Sequence, residues 1–407
     1  MSTGEAIWIT GIGAGTSLGW DYPTVAQRLL AGESNVRTVD TFDISQHPSQ
    51  FAAMLGDVPC PEGWDPAWFA KRNRLEQVSL WCGAQALRES GLWDSRGKRR
   101  IGLILGIASE WGWNWEIDAL WNNREPACDP AHDRPPIVGW LQEELGISGP
   151  VLTLSAACAS GNFALAQARR WLELGWVDAC LAGGCDTSVT PMTLAGFGNL
   201  RALSRRNDCP SVASRPFDRG RDGFVLGEGG VMFVLEREAV AKSRNAEVHG
   251  EMLGCGMSSD AYHPVIPAPE PVQAIAAIRA ALADAGVNPS DIDYVNAHGT
   301  STPIGDVTET KALREVFGEH IGKVPVSATK SMTGHLLTGA AAIEALACLA
   351  AIRAGAIPPT INLDDPDPEC NLLHVANQAM ERPVRVAISN SFGFGGSNSS
   401  AVFRAVR

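Results

Sequence analysis

One cysteine stands out because it falls where a strand-like run gives way to small residues and then to a helix-like run. The segment is Leu154-Ser-Ala-Ala-Cys158-Ala-Ser-Gly161, followed by an apolar stretch. The helix is expected to begin at the cysteine. A thiol at a helix N-terminus meets the positive end of the macrodipole and free backbone N–H groups, which favour thiolate and lower the pKa. Such a thiolate is a nucleophile. The competing reading is a buried structural cysteine in a tight turn.

Three further segments carry polar residues at strand ends, where ligands of α/β sheets tend to bind. His298 lies in Tyr294-Val-Asn-Ala-His298-Gly-Thr300-Ser-Thr302-Pro303. Lys330 and His335 flank a small-residue turn in Lys330-Ser-Met-Thr-Gly-His335, which leads into a helix-like run containing Glu344. That run holds so little charge that it should be buried. A lone buried carboxylate is costly, so Glu344 needs a partner, and Lys330 is the nearest candidate. The last segment is Asn390-Ser-Phe392-Gly-Phe394-Gly-Gly-Ser-Asn398, whose glycines allow close backbone approach and whose phenylalanines could gate a pocket. A structural ion pair and a plain hinge are the alternatives for these last two.

These residues need a scaffold. Short apolar runs at 7–12, 101–107, 151–155, 179–182, 231–236, 292–297, 324–328 and 386–389 read as strands, with another near 251–257. Helix-like runs at 162–175, 271–285 and 340–354 lie between some of them. This alternation indicates α/β with buried sheets and some antiparallel edges. The chain has 407 residues, 45% hydrophobic and 19% charged, enough for a sizeable core. No Gly/Ser linker or tandem repeat appears. Gly11-Ile-Gly-Ala-Gly15 follows the first strand, but the spacing is not that of a dinucleotide fingerprint, and close packing explains it as well. The net charge of −12 argues against nucleic acid as a partner. No export signal and no apolar stretch of about 18 residues is apparent, so a cytoplasmic protein without a membrane span is expected. The ten cysteines show neither C-x-x-C nor zinc spacing, so no metal site is expected. Residues 109–136 carry Trp111, Trp113, Trp115 and Trp121, either a core cover or the wall of a substrate pocket or dimer contact.

Together these strings resemble the elongating β-ketoacyl-acyl carrier protein synthases of the thiolase-like superfamily, over nearly the whole chain. The blocks Ser214-Arg-Pro-Phe-Asp-Arg-Gly-Arg-Asp-Gly-Phe-Val-Leu-Gly-Glu-Gly and Pro358-Pro-Thr-Ile-Asn-Leu belong to the resemblance. It implies two pseudo-repeated halves, 1–240 and 241–407, in a five-layered α-β-α-β-α domain. It implies that Cys158 carries an acyl group. His298 and His335 would donate hydrogen bonds to the enolate of a decarboxylating malonyl thioester. Lys330 and Glu344 would hold the geometry and charge balance. Backbone N–H groups of Cys158 and Phe394 would form the oxyanion hole, with Phe394 as gate. Thr300 and Thr302 would touch the pantetheine arm. Ala108, Ser109 and Phe392 would line the acyl pocket. No cofactor is implied, because substrates arrive on the phosphopantetheine of an acyl carrier protein. That carrier is acidic, which needs a local basic face, and Lys71, Arg72, Arg74, Arg201, Arg205 and Arg206 are candidates. A homodimer, or a heterodimer with a chain-length-factor-like partner, is implied.

The chain departs from the pattern in Ala156-Ala-Cys158-Ala159, which lacks hydroxyls common in relatives, and most of all at 109–140. A polar, tryptophan-rich wall there points to an acyl group other than a plain saturated chain, as in polyketide or polyene assembly. A non-condensing chain-length factor would usually lack the cysteine. A thiolase would use a second cysteine and one histidine. A scaffolding module would have no use for these polar residues.

Overall fold

A computed structural model describes residues 5–108, 116 and 136–406. The main sheet is built from β1 (Ile7–Thr16), β2 (Ile101–Gly106), β3 (Val151–Leu154), β4 (Ala179–Asp186), β5 (Gly229–Arg237), β6 (Gly250–Ser259), β7 (Tyr294–Asn296), β8 (Pro325–Ser327), β9 (Leu373–His374), β10 (Val386–Gly393) and β11 (Ser397–Arg404). Their order is β9-β8-β7-β10-β11-β6-β1-β5-β4-β2-β3. Apart from β9, both halves follow one plan: first, fifth, fourth, second and third strand. In each, the first, fifth and fourth strands pair antiparallel, and the fourth, second and third pair parallel. The halves join where β1 pairs with β6 at Trp8–Glu251 and Ile9–Gly250.

Six helices complete the layers: α1 (Arg74–Glu89), α2 (Ile137–Leu145), α3 (Ser160–Glu173), α4 (Val272–Ala285), α5 (Pro303–Phe317) and α6 (Ala340–Ala354). α1 and α2 cover the outer face of the first half, and α4 and α5 that of the second. α3 and α6 pack against each other between the two half-sheets. The result is five layers, α-β-α-β-α. Being covered on both faces explains why α6 is apolar all round, with Ala340 through Ala351 buried.

The fold corrects one expectation and refines another. One helical stretch, Leu337–Ala354, does have the length and mean hydropathy (1.6) of a membrane span, but 78% of it is buried inside the protein. Its apolar character serves the central layer. The Gly11–Gly15 run lies within β1 rather than in a turn after it. A Cβ on Gly11 would sit 2.2 Å from Ala86 O, and one on Gly13 1.8 Å from Cys82 O, so these glycines let α1 lie directly on the strand. The strands β9 and β11 and the helices α1, α2 and α5 lie outside the runs that hydropathy marks. β11 begins in Ser397-Asn-Ser-Ser, which is polar yet buried between two strands.

Candidate active site

The pseudo-repeat brings the chemistry together. In each half the third strand leads through a loop into a central helix, β3 into α3 and β8 into α6. Cys158 lies in the first connection; in the second, Lys330 opens a one-turn helix, Lys330–Thr333, and His335 follows it. The two helices approach closely at their N-terminal turns, where a Cβ on Gly161 would stand 2.6 Å from Ala342 N. His298 follows β7; Phe392 lies near the end of β10 and Phe394 just beyond it. Cys158 Sγ lies 3.0 Å from His335 Nε2, and one ligand-type atom from each of Cys158, His298 and His335 falls within 4.8 Å of the others.

The nucleophile turn is held in a strained shape. Ala157 has φ +49°, in the left-handed region that costs a non-glycine residue about 1–3 kcal/mol. Ser160 locks it: its Oγ donates to Ala157 O at 2.6 Å and accepts from Ala156 N at 2.9 Å. α3 begins at Ser160, two residues after the cysteine rather than at it. The expected low thiol pKa is also overturned. Burial pushes the Cys158 thiol up to about 11, against the opposing effects of the Lys330 charge and of the backbone N–H groups of Phe394 and Cys158. At rest the residue is a thiol. Gly393 presses on this turn, since a Cβ there would meet Cys158 N at 2.9 Å and Ala156 O at 3.1 Å.

Both imidazoles are neutral and share one tautomer. Burial holds both well below the usual histidine range, with the Lys330 charge adding to it. His335 Nδ1 accepts the Leu337 N–H at 3.2 Å. Lys330 is buried, and its Nζ meets three acceptors: His298 O at 2.7 Å, His298 Nδ1 at 3.1 Å and Glu344 Oε1 in close contact. An ammonium has three N–H donors and all are used. With both Nδ1 atoms accepting, the ring proton of each histidine sits on Nε2, aimed into the cavity. Glu344, raised to about 7 by burial and opposed by Lys330, also accepts from Ser391 Oγ at 3.1 Å.

Acidic residues given no role in the sequence hold the loops. Glu309 on α5 accepts the N–H groups of His298 and Gly299, each at 2.8 Å, one per carboxylate oxygen. Asp306 accepts from Phe217 N and Ser301 N, and Arg221 reaches Asp306, Asp367 and the carbonyls of Thr302 and Pro303. The signal was present: Thr302-Pro303 is an N-cap followed by proline at N1, so Asp306 and Glu309 lie on the first two turns of a helix that starts at the site.

A cavity of about 340 Å³ opens over the cysteine. Cys158, His298, His335, Thr300, Thr302, Phe392 and Phe394 all line it, and Arg201 stands at its wall. The Thr300 and Thr302 hydroxyls bond each other at 2.9 Å, leaving one donor for a bound chain. Phe394 packs against Phe197 at 5.9 Å, and Phe392 against His298 at 6.1 Å. Ala108 is exposed and is not among the described residues lining this cavity; Ser109 lies outside the described residues, as do the four tryptophans. Of the basic residues, Lys71, Arg201 and Arg205 are exposed, and Arg72 lies over the Trp68 ring. Arg74 is engaged internally with the buried Glu228 and with Leu55 O, and Arg206 with Gly220 O and Asp222. The spacing of Cys158, His298 and His335 would admit a metal ion. The outer bonds oppose one, because a ligating histidine donates from its second ring nitrogen, whereas both here accept.

Two family models match the chain, "Beta-ketoacyl synthase, N-terminal domain" over residues 4–241 and "Beta-ketoacyl synthase, C-terminal domain" over residues 249–364. The chain belongs to the beta-ketoacyl synthase family. It is 40% identical to 3-oxoacyl-[acyl-carrier-protein] synthase 2 of Coxiella burnetii, over 98% of each chain. Among solved structures it is similar to the ishigamide ketosynthase/chain length factor (TM-score 0.89, 32% identity, all of both chains). It is also similar to a type II polyketide synthase acyl-carrier protein in complex with its ketosynthase bound to the hexaketide (TM-score 0.88, 28% identity, 99% of this chain and 100% of that one). A beta-ketoacyl synthase accounts for both the thiolase-like layers and the pairing of one buried thiol with two imidazoles.

Proposed function

We propose that this beta-ketoacyl synthase joins acyl units by decarboxylative Claisen condensation, elongating a chain delivered on an acyl carrier protein. The observation that carries the reading is the convergence of Cys158 Sγ and two neutral, Nε2-protonated imidazoles in one buried cavity. In the first step Cys158 sulfur attacks the acyl thioester, and its proton passes to the departing pantetheine sulfur. The N–H groups of Cys158 and Phe394 face the sulfur and are positioned for the carbonyl oxygen that becomes anionic. A malonyl thioester then loses carbon dioxide, and His298 and His335 donate Nε2–H bonds to the enolate oxygen. Neutral donors stabilise this anion without being consumed as acids. The enolate carbon attacks the acyl carbonyl, the C–S bond to Cys158 breaks to release the thiolate, and uptake of one proton from water regenerates the thiol.

The acyl carrier protein docks beside the cavity mouth, with Arg201 and Arg205 as its cationic contacts. The half-exposed edge strand β3 pairs with a second copy or with a chain-length-factor-like partner. The acyl chain is of polyketide or polyene type, a reading that rests on the tryptophan-rich sequence at 109–140. The free thiols of the described cysteines fit a reducing cytoplasm. The test is mass spectrometry of intact protein offered acyl carriers loaded with varied chains. The proposal expects an acyl adduct on Cys158 that disappears in Cys158→Ala, together with the condensed product. No adduct with any donor would end it, and a strong preference for saturated chains of ordinary length would overturn the chain type.

A further inference from the structure

Asp186 ends the central strand β4 of the first half and has no place in the mechanism above. It is 5% exposed, so its carboxylate needs partners. It accepts from Ser188 N at 3.0 Å within its own turn. Its other partners come from the opposite half: Thr338 N at 3.3 Å and Thr338 Oγ1 at 2.8 Å, a hydroxyl whose one proton Asp186 shares with Cys185 O at 2.9 Å. Thr338 adjoins Leu337, whose N–H is the donor to His335 Nδ1.

Leu337 has φ +45°, a left-handed conformation that a leucine does not adopt unaided. A turn held in that shape relaxes unless neighbouring contacts over-determine it. The packing here leaves little slack: a Cβ on Gly184, two residues before Asp186, would stand 2.4 Å from Thr338 O. The backbone of His335 is meanwhile pinned on its other side, where His335 N reaches Val225 O at 2.7 Å and Gly227 N reaches His335 O at 2.9 Å. With the backbone fixed, the Leu337 N–H is what sets the ring's proton position.

We infer that Asp186 is a positioning residue for the condensation: by anchoring Thr338 it holds the strained Leu337 turn, which keeps the His335 proton on Nε2. This rests on the proposed role of His335 as an enolate donor. Without the anchor, the turn relaxes, Nδ1 loses its donor, and the ring is free to carry its proton on either nitrogen. Acyl transfer to Cys158 depends chiefly on the sulfur and the backbone N–H groups, so decarboxylation should suffer more.

The experiment compares wild type with Asp186→Ala, Asp186→Asn and Thr338→Val in full-length protein. Malonyl-carrier decarboxylation and acyl-adduct formation are measured separately, and the His335 tautomer is read from ¹⁵N shifts. Removing one oxyanion donor outright costs about 10²–10³ in rate, so loosening one should cost about 10- to 100-fold. The expected result is that loss in decarboxylation kcat for Asp186→Ala, with KM for the malonyl carrier little changed and the Nε2–H tautomer population reduced. Thr338→Val, which keeps its backbone N–H, should fall between. Unchanged decarboxylation, or lost activity with an unshifted tautomer, overturns the inference. If Asp186→Ala does not fold, Asp186→Asn and Thr338→Val are read by the same two criteria. The tautomer does not depend on turnover, so failure of the proposed function would register separately, as a wild type that forms no adduct.

Discussion

Alkylation of Cys158 as a function of pH tests the electrostatics of the site directly. Iodoacetamide reacts with the thiolate, so its rate follows the ionised fraction. With the thiol at about 11, about one molecule in 10⁴ is ionised at pH 7, against about 3 in 100 for an unperturbed cysteine. Access to a buried sulfur lowers every rate by a common factor, so the profile's shape carries the information. The rate at Cys158, followed by peptide mass spectrometry, should climb about tenfold per pH unit from about pH 7 to about pH 10 without levelling. Replacing the ion pair by Lys330→Met with Glu344→Gln should slow alkylation at each pH. The lysine lowers the thiol pKa more than the glutamate raises it, and pairing the changes avoids leaving a lone buried charge. A plateau below about pH 9 in the wild type would refute the reasoning and return the site to a resting thiolate.

Gly393→Ala places a methyl 2.9 Å from Cys158 N; turnover should drop by about 10²–10³, the value of an oxyanion donor, checked by steady-state condensation. Gly161→Ala forces the central helices apart, since its Cβ would lie 2.6 Å from Ala342 N; a loss of about 1–3 kcal/mol is expected in denaturant unfolding. Arg201→Glu should raise KM for the acyl carrier with kcat nearly unchanged, whereas Arg74→Glu, which turns an internal ion pair into a repulsion, should lower thermal stability. Wild-type protein titrated with Co²⁺ should show no thiolate-to-metal charge-transfer band at micromolar metal, because both Nε2 atoms carry protons.

Much of the site could be read locally. Polar residues at the C-terminal ends of strands, small residues where helices meet, and a helix-like run too apolar for an exposed position are signals within a dozen neighbours. They brought out Cys158, His298, Lys330, His335, Glu344 and Phe394, and the boundaries of α6 matched the hydropathic run. β11 was harder, because its serines and asparagine are polar yet buried between two strands, and hydropathy cannot register burial that hydrogen bonds make tolerable. Asp306 and Glu309 could be placed on the first two turns of a helix opening at Thr302-Pro303, but their role could not, because a carboxylate in a helix normally faces water and only the fold turns these two inward.

The amino-acid order by itself determined which groups are available and which strand ends present them, because those depend on short-range pattern and propensity. Tertiary structure decided their chemical state. The sulfur is a thiol at rest because burial outweighs the nearby cation and N–H groups, and desolvation depends on everything that surrounds an atom. The proton positions on the two rings follow from the Leu337 N–H, two residues along the same turn, and from Lys330, which reaches His298 only once the adjacent strands β7 and β8 have paired.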